Sequence, residues 1–260
     1  MEKLDFLIDY LIKENEEILI NKLPKNEKDK ENLWRSLCNI RSPKEASDKY
    51  IKIENEYLQE KLKNGIITNV EDIKPLFNNK ICLWEGDITT LKIDTIVNAA
   101  NSQGLGCFIP CHKCIDNQIH TFAGLNLRLE CREKMREIGV LKTGKAFITK
   151  GYNLPSKYVI HTVGPIIYQK VTNKEIEQLK KCYINSMKIA KENEIKSIAF
   201  PCISTGEFKF PKKEASKIAI ESIEEYLEEN GDYFDKIVFN VFTDEDYDIY
   251  FKNLGERYGR

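Results

Sequence analysis

From about residue 80 onward, short runs rich in β-branched and aromatic residues alternate with segments long enough to form helices. This alternation predicts an α/β layer fold, in which helices cover both faces of a mostly parallel sheet. The runs at 197–200 and 236–242 are nearly continuous in apolar residues, which is typical of strands buried on both faces. The predicted strands are 81–84, 95–99, 146–150, 158–162, 197–202 and 237–242, and the predicted helices are 115–136, 174–192, 212–229 and 245–254.

The first part of the chain has a different pattern, because its apolar residues recur at helical spacing. Leu4, Leu7 and Leu11 show this spacing, and it returns between residues 18 and 23 and again after residue 32. Ser42-Pro43 predicts the start of a further helix, since proline suits the first helical turn. We therefore expect a helical extension over residues 1–72 that packs on a main domain over residues 73–260. An independent partner-binding module is the alternative for the extension.

Charge and hydropathy exclude several classes of protein. The chain has 40 Lys and Arg against 41 Asp and Glu, and the two signs are interleaved. This balance argues against a dedicated nucleic-acid binder, which carries a basic surplus or stripe. No apolar run is long enough to span a membrane. No secretory signal is visible, so we expect a cytoplasmic protein with neither nucleic acid nor membrane as a partner.

Three of the eight cysteines fall within residues 107–114, with a histidine between them. In a cytosolic protein such a cluster favours metal binding over disulfides. Zinc accepts thiolate and imidazole ligands, and three protein ligands leave one coordination position open for catalysis. Adjacent side chains tend to point apart, which favours Cys107, His112 and Cys114 as ligands over Cys111. A closed structural site with Cys111 as fourth ligand, and cysteines buried without metal, are the alternatives.

Small and polar residues follow three of the predicted strands. In open α/β sheets, ligands bind outside the carboxyl ends of the strands. Asp87 follows the first strand, Asn101 follows the second, and a Ser-Thr-Gly turn at 204–206 follows the strand around Phe200. The turn has no P-loop lysine and no GxGxxG motif, so its backbone N–H groups would have to hold an anion. The alternatives are a helix cap or Asx turn at Asp87 and an ordinary polar turn at Asn101.

Six short segments, taken together and in this order, resemble the macrodomain family: 86–89, 96–101, 119–124, 143–146, 160–165 and 203–206. The resemblance covers roughly residues 80 to 255. It implies a three-layer α/β/α fold with a mixed, mostly parallel central sheet. Macrodomains bind ADP-ribose, and many hydrolyse it from proteins or from O-acetyl-ADP-ribose.

The resemblance also implies roles for individual residues. By position, Asp87 resembles the acidic residue that reads the adenine amine, and Asn101 resembles the asparagine that touches the distal ribose. Asp116 is expected to orient water or bind ribose, with a favourable helix N-terminal charge as its alternative role. Tyr247 is expected near adenine, and His161 is expected to be structural. The full set implied for ADP-ribose is Asp87, Ile88, Asn101, Ile115, Asp116, Ser204, Thr205, Gly206, Glu207 and Phe208.

One departure from the family pattern is informative. Many macrodomains have a run of glycines after the asparagine, whereas here Gly104 and Gly106 lead into the thiol-imidazole segment. This resembles the zinc-containing branch of the family, which also carries an N-terminal helical extension similar to the region around residues 33–35. The branch removes ADP-ribose from acidic side chains and is associated with a sirtuin-type transferase and a lipoyl-carrier protein.

The resemblance thus implies a hydrolase of protein-linked mono-ADP-ribose with one zinc ion per chain. Its catalytic set would be Asn101, Cys107, His112, Cys114 and Asp116. A non-catalytic reader of ADP-ribose and an O-acetyl-ADP-ribose deacetylase are the nearest alternatives. A third is a scaffold whose helical region docks a partner and whose pocket is vestigial.

Overall fold

The computed structural model describes residues 2–15, 23–76, 79–231 and 233–259. The helices among them are α1 (Lys3–Lys13), α2 (Glu27–Ile40), α3 (Asp48–Asn64), α4 (Ile115–Ala123), α5 (Leu125–Ile138), α6 (Asn173–Glu192), α7 (Lys212–Asn230) and α8 (Asp244–Tyr258). The strands are β1 (Thr68–Asn69), β2 (Ile81–Glu85), β3 (Leu91–Lys92), β4 (Thr95–Ala99), β5 (Ala146–Lys150), β6 (Tyr158–Thr162), β7 (Ser197–Phe200) and β8 (Lys236–Val241). None of the helices in these ranges is long and apolar enough to cross a membrane.

Six strands form the central sheet in the order β2-β8-β7-β4-β6-β5. All neighbouring pairs are parallel except β5 and β6, which are antiparallel. The predicted mixed, mostly parallel sheet is therefore confirmed. Two apolar clusters pack against the sheet: one contains residues of α6, α7 and α8, and the other contains residues of α4 and α5. Helices thus cover both faces, as the alternating pattern predicts.

Two helix predictions are wrong in detail. The single helix predicted over 115–136 is interrupted at Gly124, whose φ of 90° lies in the left-handed region that favours glycine. A Cβ at Gly124 would lie 2.8 Å from Oε2 of Glu54, so the chain turns here against a neighbouring helix. The third helix begins at Asp48, because the Ser47 side chain accepts a hydrogen bond from the Tyr50 N–H and caps it. Ser42-Pro43 lies in the segment before that cap.

Helices α1, α2 and α3 form the predicted extension and share a third apolar cluster, which includes Trp34 and Tyr50. Leu125 of α5 belongs to the same cluster, and Phe122 of α4 packs against it. Because α4 and α5 supply part of this core, the extension packs directly on the main domain. The apolar pattern between residues 18 and 23 falls largely on 16–22, which lie outside the described residues.

Glu54 on α3 is a buried carboxylate at this junction, with 1% of its surface exposed. Its Oε2 accepts a hydrogen bond of 3.0 Å from the backbone N–H of Leu125, the first residue of α5. Its Oε1 accepts one of 3.3 Å from the Tyr50 hydroxyl. Burial outweighs these hydrogen bonds and raises the pKa of Glu54 from 4.5 to about 7. The folded protein therefore holds a proton here that the unfolded chain releases at lower pH.

Glu54→Gln is expected to reduce the pH dependence of stability. A raised carboxyl pKa means that the folded state binds more protons, so stability falls as pH rises from about 4.5 to about 7. The loss attributable to Glu54 is on the order of 3 kcal/mol across this window. Urea unfolding between pH 4 and pH 8 measures it. Glu56→Gln is the matched control, because Glu56 is exposed on the same helix. An unchanged slope in E54Q would contradict the assignment.

Candidate functional site

Three loops lie along the carboxyl edge of the central sheet. The first follows β2 and begins with Gly86 and Asp87, the second runs from the end of β4 to α4, and the third joins β7 to α7. The second and third loops approach each other, since His112 Nε2 lies 3.5 Å from Glu207 Oε1. The second loop is irregular, with positive φ angles at Gly104, Gly106 and Cys111. Polar residues predicted from separate parts of the sequence therefore share one edge of the sheet.

The second loop brings together the three predicted metal ligands. One ligand atom each from Cys107, His112 and Cys114 lies within 4.8 Å of the others, and Cys107 Sγ is 3.7 Å from His112 Nδ1. All three side chains are half-buried. Burial, with a smaller contribution from Cys107, raises the pKa of the Cys114 thiol to about 12. Without a cation nearby, that thiol keeps its proton at neutral pH.

Cys111 faces away from this group. Its Sγ is 3.1 Å from the Ser36 hydroxyl and 3.2 Å from the backbone oxygen of Asn32, both on α2. Its backbone N–H donates a hydrogen bond of 2.9 Å to Asn39 Oδ1. The structure therefore separates Cys111 from the other three residues, and the alternative in which Cys111 is the fourth ligand has no geometric support.

A second group of potential ligands, His120, Cys131 and His161, lies in the core. Both His161 nitrogens have partners, since Nδ1 is 3.1 Å from Asn98 Nδ2 and Nε2 is 2.9 Å from Thr149 Oγ1. Burial, together with the positive charge of Arg128, lowers the pKa of His120 well below its usual value. A guanidinium so close also disfavours a metal cation. His161 is therefore accounted for as polar packing, whereas both His120 nitrogens are buried with no hydrogen-bond partner among the described residues.

Asp116 lies behind Asn101 rather than on the open surface. It is 4% exposed, and its two oxygens accept hydrogen bonds of 2.7 Å from Asn98 Nδ2 and 3.2 Å from Asn101 Nδ2. Burial raises the pKa of Asp116 to about 6, so the carboxylate is largely ionised at neutral pH. The Asn101 amide also donates to the backbone oxygen of Gly106 at 3.1 Å. Asp116 and Asn101 therefore fix the beginning of the second loop. Ile115, the first residue of α4, is half-buried beside them.

The third loop is a tight turn over Ser204, Thr205 and Gly206. Ser204 has a φ of 67°, which is rare for a residue with a side chain. Hydrogen bonds from Phe210 N to the Ser204 oxygen and from Lys209 N to the Gly206 oxygen, both 2.9 Å, close the turn. The following residues, Glu207 and Phe208, are respectively exposed and half-buried. The Thr205 N–H already donates to the backbone oxygen of Cys202 at 3.3 Å, so the N–H groups of Ser204 and Gly206 are the candidates to bind an anion.

At the other end of the edge, Asp87 caps the short 3-10 helix 88–90. Its Oδ1 accepts hydrogen bonds from the Thr89 N–H at 2.9 Å and the Thr89 hydroxyl at 2.7 Å. Asp87 therefore caps this helix, which was the alternative role predicted for it. The cap uses Oδ1, so Oδ2 is the oxygen that can accept a hydrogen bond from a ligand. Ile88 is buried beneath it. A cleft of about 850 Å³ opens between the extension and this loop; Asp87 lines it, whereas the three metal-ligand candidates do not.

Tyr247 lies in the first turn of α8 and stacks on Phe251, with ring centroids 6.1 Å apart. Phe242, which the sequence analysis did not single out, is 73% exposed directly after β8. Because β8 pairs with β2, Phe242 follows the strand that neighbours the one leading to Asp87. The sequence signal for Phe242 is its position, since an aromatic residue follows directly after an apolar strand.

Comparison with known proteins is consistent with this architecture. The family model described as Macro domain matches residues 97–219. A protein named protein-ADP-ribose hydrolase from Treponema medium is 46% identical over 255 residues, covering 96% of this chain and 97% of that protein. The Trypanosoma brucei macrodomain in complex with ADP-ribose matches with a TM-score of 0.67 and 30% identity, covering 85% of this chain and 95% of that one. An Oceanobacillus iheyensis macrodomain mutant with ADPR matches with a TM-score of 0.65 and 35% identity, covering 72% and 99%.

The fold defines a three-layer α/β protein whose candidate ligand site lies at the ends of its parallel strands. With relatives this similar over nearly its whole length, the chain belongs to the macrodomain family.

Proposed function

We propose that this protein hydrolyses mono-ADP-ribose from modified protein side chains, with aspartate or glutamate as the linked residue and with a zinc ion in the second loop. The observation that carries the proposal is the group formed by Cys107, His112 and Cys114. It lies beside the loop that resembles the family's diphosphate-binding turn. The hydrolase name of the Treponema medium relative supports the same activity.

The donor set suits zinc. Two thiols and one imidazole, all within 4.8 Å of one another, match the ligand types that zinc prefers. Cys107, His112 and Cys114 would hold the ion through their two Sγ atoms and one ring nitrogen. A bound cation would replace the proton that burial keeps on the Cys114 thiol. Held by these three residues, zinc would act as a Lewis acid that polarises an oxygen atom of the substrate or of water.

The remaining residues bind and orient. Backbone N–H groups of the Ser204–Gly206 turn would hold the diphosphate, and Asp87 Oδ2 would accept a hydrogen bond from the adenine amine. Phe242 would stack on the adenine ring: it is exposed after the strand that neighbours the one leading to Asp87, whereas Tyr247 is already packed on Phe251. Asp116 keeps Asn101 in position at the base of the loop, through the 3.2 Å hydrogen bond between them.

The protein substrate belongs to the proposal as well. The resemblance to the zinc-containing branch points to a lipoyl-carrier protein modified by a sirtuin-type transferase. We propose that this carrier presents the linked ADP-ribose to the site.

Removal of the metal is expected to abolish hydrolysis and to weaken ligand binding without abolishing it. The assay is release of ADP-ribose from an aspartate- or glutamate-modified protein by chelator-treated and zinc-restored enzyme side by side. Calorimetry with free ADP-ribose on both preparations is the control, because Asp87 and the 204–206 turn are not themselves ligands of the cation and keep their contacts to ADP-ribose without it. Binding without release in the zinc-loaded protein would favour the reader function, and release from O-acetyl-ADP-ribose alone would favour the deacetylase.

A further inference from the structure

The loop that carries the metal-ligand candidates has little regular structure of its own. Between the end of β4 and the start of α4, backbone hydrogen bonds within the loop include His112 N to the Ile109 oxygen at 3.2 Å and Gly104 N to the Asn101 oxygen at 3.0 Å. A chain segment held by so few internal bonds depends on its neighbours for a fixed shape. Those neighbours decide how closely its three ligand atoms stay together.

Helix α2 of the extension supplies a large part of this support. The Arg35 guanidinium donates to the backbone oxygen of His112 at 2.7 Å and to Asn117 Oδ1 at 2.7 and 3.2 Å. Asn117 in turn donates from Nδ2 to the backbone oxygen of Ile109 at 3.0 Å. The planar Arg35 guanidinium therefore holds the second loop directly at His112 and, through Asn117, at Ile109.

Asn39, near the end of the same helix, holds the residue next to His112. It is 1% exposed, and its Oδ1 accepts the Cys111 N–H at 2.9 Å while its Nδ2 donates to the Thr121 hydroxyl at 3.2 Å. Cys111 has a φ of 51°, an unfavourable conformation for a residue with a side chain, and this hydrogen bond helps to hold it. Both α2 contacts thus act on the backbone at residues 111 and 112.

Arg128 of α5 joins the two parts from the other side. Its Nη1 donates to the backbone oxygens of Asn39 and Arg41 at 2.7 Å each, at the end of α2. Its Nη2 lies 3.4 Å from the backbone oxygen of Cys107, the first ligand candidate. The buried Arg128 guanidinium therefore also connects the end of α2 to the second loop.

We propose that the helical extension is a built-in part of the metal site, in which Arg35 and Asn39 are positioning residues. Neither side chain supplies a ligand atom to the three-residue group. They act through the backbone of residues 111 and 112 and so set the geometry of the His112 ligand. This inference rests on the proposed function, because it assumes that the group binds zinc. It assigns the extension a role at the site, in place of a separate partner-binding module.

The test is the affinity of the metal-free full-length protein for Zn²⁺ alone, measured by competition with a chromophoric chelator. Outer residues that orient metal ligands typically contribute 10- to 100-fold in affinity, so Arg35→Ala is expected to weaken zinc binding about 10- to 100-fold. Asn39→Ala is expected to act in the same direction. Arg35→Lys keeps the charge but reaches only one acceptor at a time, and an intermediate affinity is expected.

Arg132→Ala is the matched control. Arg132 also joins the main domain to the extension, because its Nη1 donates a hydrogen bond of 2.6 Å to the backbone oxygen of Pro43. Its hydrogen bonds do not involve the second loop. It should lower stability without changing zinc affinity. Circular dichroism and thermal unfolding identify any variant that fails to fold; if R35A does so, R35K decides the question.

The outcomes separate the two proposals. If the wild-type protein does not bind Zn²⁺, the zinc-dependent function fails, and this inference fails with it. If the wild type binds Zn²⁺ and R35A, or R35K in its place, binds it equally well, the inference alone is overturned. Equal weakening in R35A and R132A would also overturn it, because the effect would then reflect general loosening of the extension.

Discussion

Cys114→Ala is expected to lose bound zinc and at least roughly 100-fold in hydrolysis, because a Lewis-acid metal contributes several kcal/mol to such reactions. Cys114 Sγ is one of the three grouped ligand atoms. The measurements are the zinc content of the purified protein and the rate of ADP-ribose release from a modified protein. Full activity in a metal-free C114A protein would remove the metal from the mechanism.

Two further variants isolate the cause of the loss in C114A. Cys114 is also the N-cap of α4, where its Sγ accepts the Asn117 N–H at 3.4 Å. Cys114→Ser keeps a good capping atom but replaces the soft ligand, so it should also lose zinc while stability is retained. Cys111→Ala should keep both zinc and activity, since the Cys111 thiol faces α2. Loss of zinc in C111A would contradict this assignment of ligands.

Gly164→Ala is expected to disrupt the loop after β7 and to weaken ADP-ribose binding roughly 10- to 100-fold, because restoring the binding shape of the turn against this clash would cost about 1–3 kcal/mol, the usual cost of overpacking. A Cβ at residue 164 would lie 1.9 Å from Ser204 Oγ and 2.9 Å from Ile203 Cγ2. Neither separation is tolerated, so Ser204 and its turn must move. Calorimetry with ADP-ribose measures the change.

A double mutant separates this steric effect from a general loss of stability. Ser204 Oγ is buried and has no hydrogen-bond partner among the described residues, so Ser204→Ala alone should change neither stability nor ADP-ribose affinity by much. Adding S204A to G164A removes the nearest clashing atom and should restore part of the affinity. Gly65→Ala is the control, because its Cβ would be 3.4 Å from the nearest atom. Wild-type affinity in G164A would mean that the turn does not hold the ligand.

Much of this architecture can be predicted from the sequence because the signals are local. The strands around Ile198 and Val238 are buried on both faces, so their apolar runs mark them directly. The chelating group is also local, since Cys107, His112 and Cys114 lie within one short segment. The tendency of adjacent side chains to point apart favoured His112 over Cys111 as a ligand. In the structure the Cys111 thiol does face α2, away from His112.

The remaining features depend on contacts between residues far apart in the sequence, which the spacing of apolar residues does not reveal. At the break, a Cβ on Gly124 would clash with Glu54, which lies 70 residues earlier in the chain. Arg35 contacts His112 and Asn117 only after α2 has packed on the main domain. Burial of the Asp116 side chain behind Asn101 is likewise a tertiary property, since its sequence position fits an exposed helix N-terminus equally well.

The 3.5 Å approach of Glu207 to His112 has a consequence for thermodynamic coupling. His112 Nδ1 faces Cys107, and Nε2 faces a carboxylate on the turn that would hold the diphosphate. Any ligand that orders this turn also fixes the imidazole, and any ion that fixes the imidazole orders the turn. By linkage, zinc must then raise the affinity for ADP-ribose by the same factor as ADP-ribose raises the affinity for zinc. At equilibrium, the protein with one of the two bound would therefore hold the other more tightly than the empty protein does.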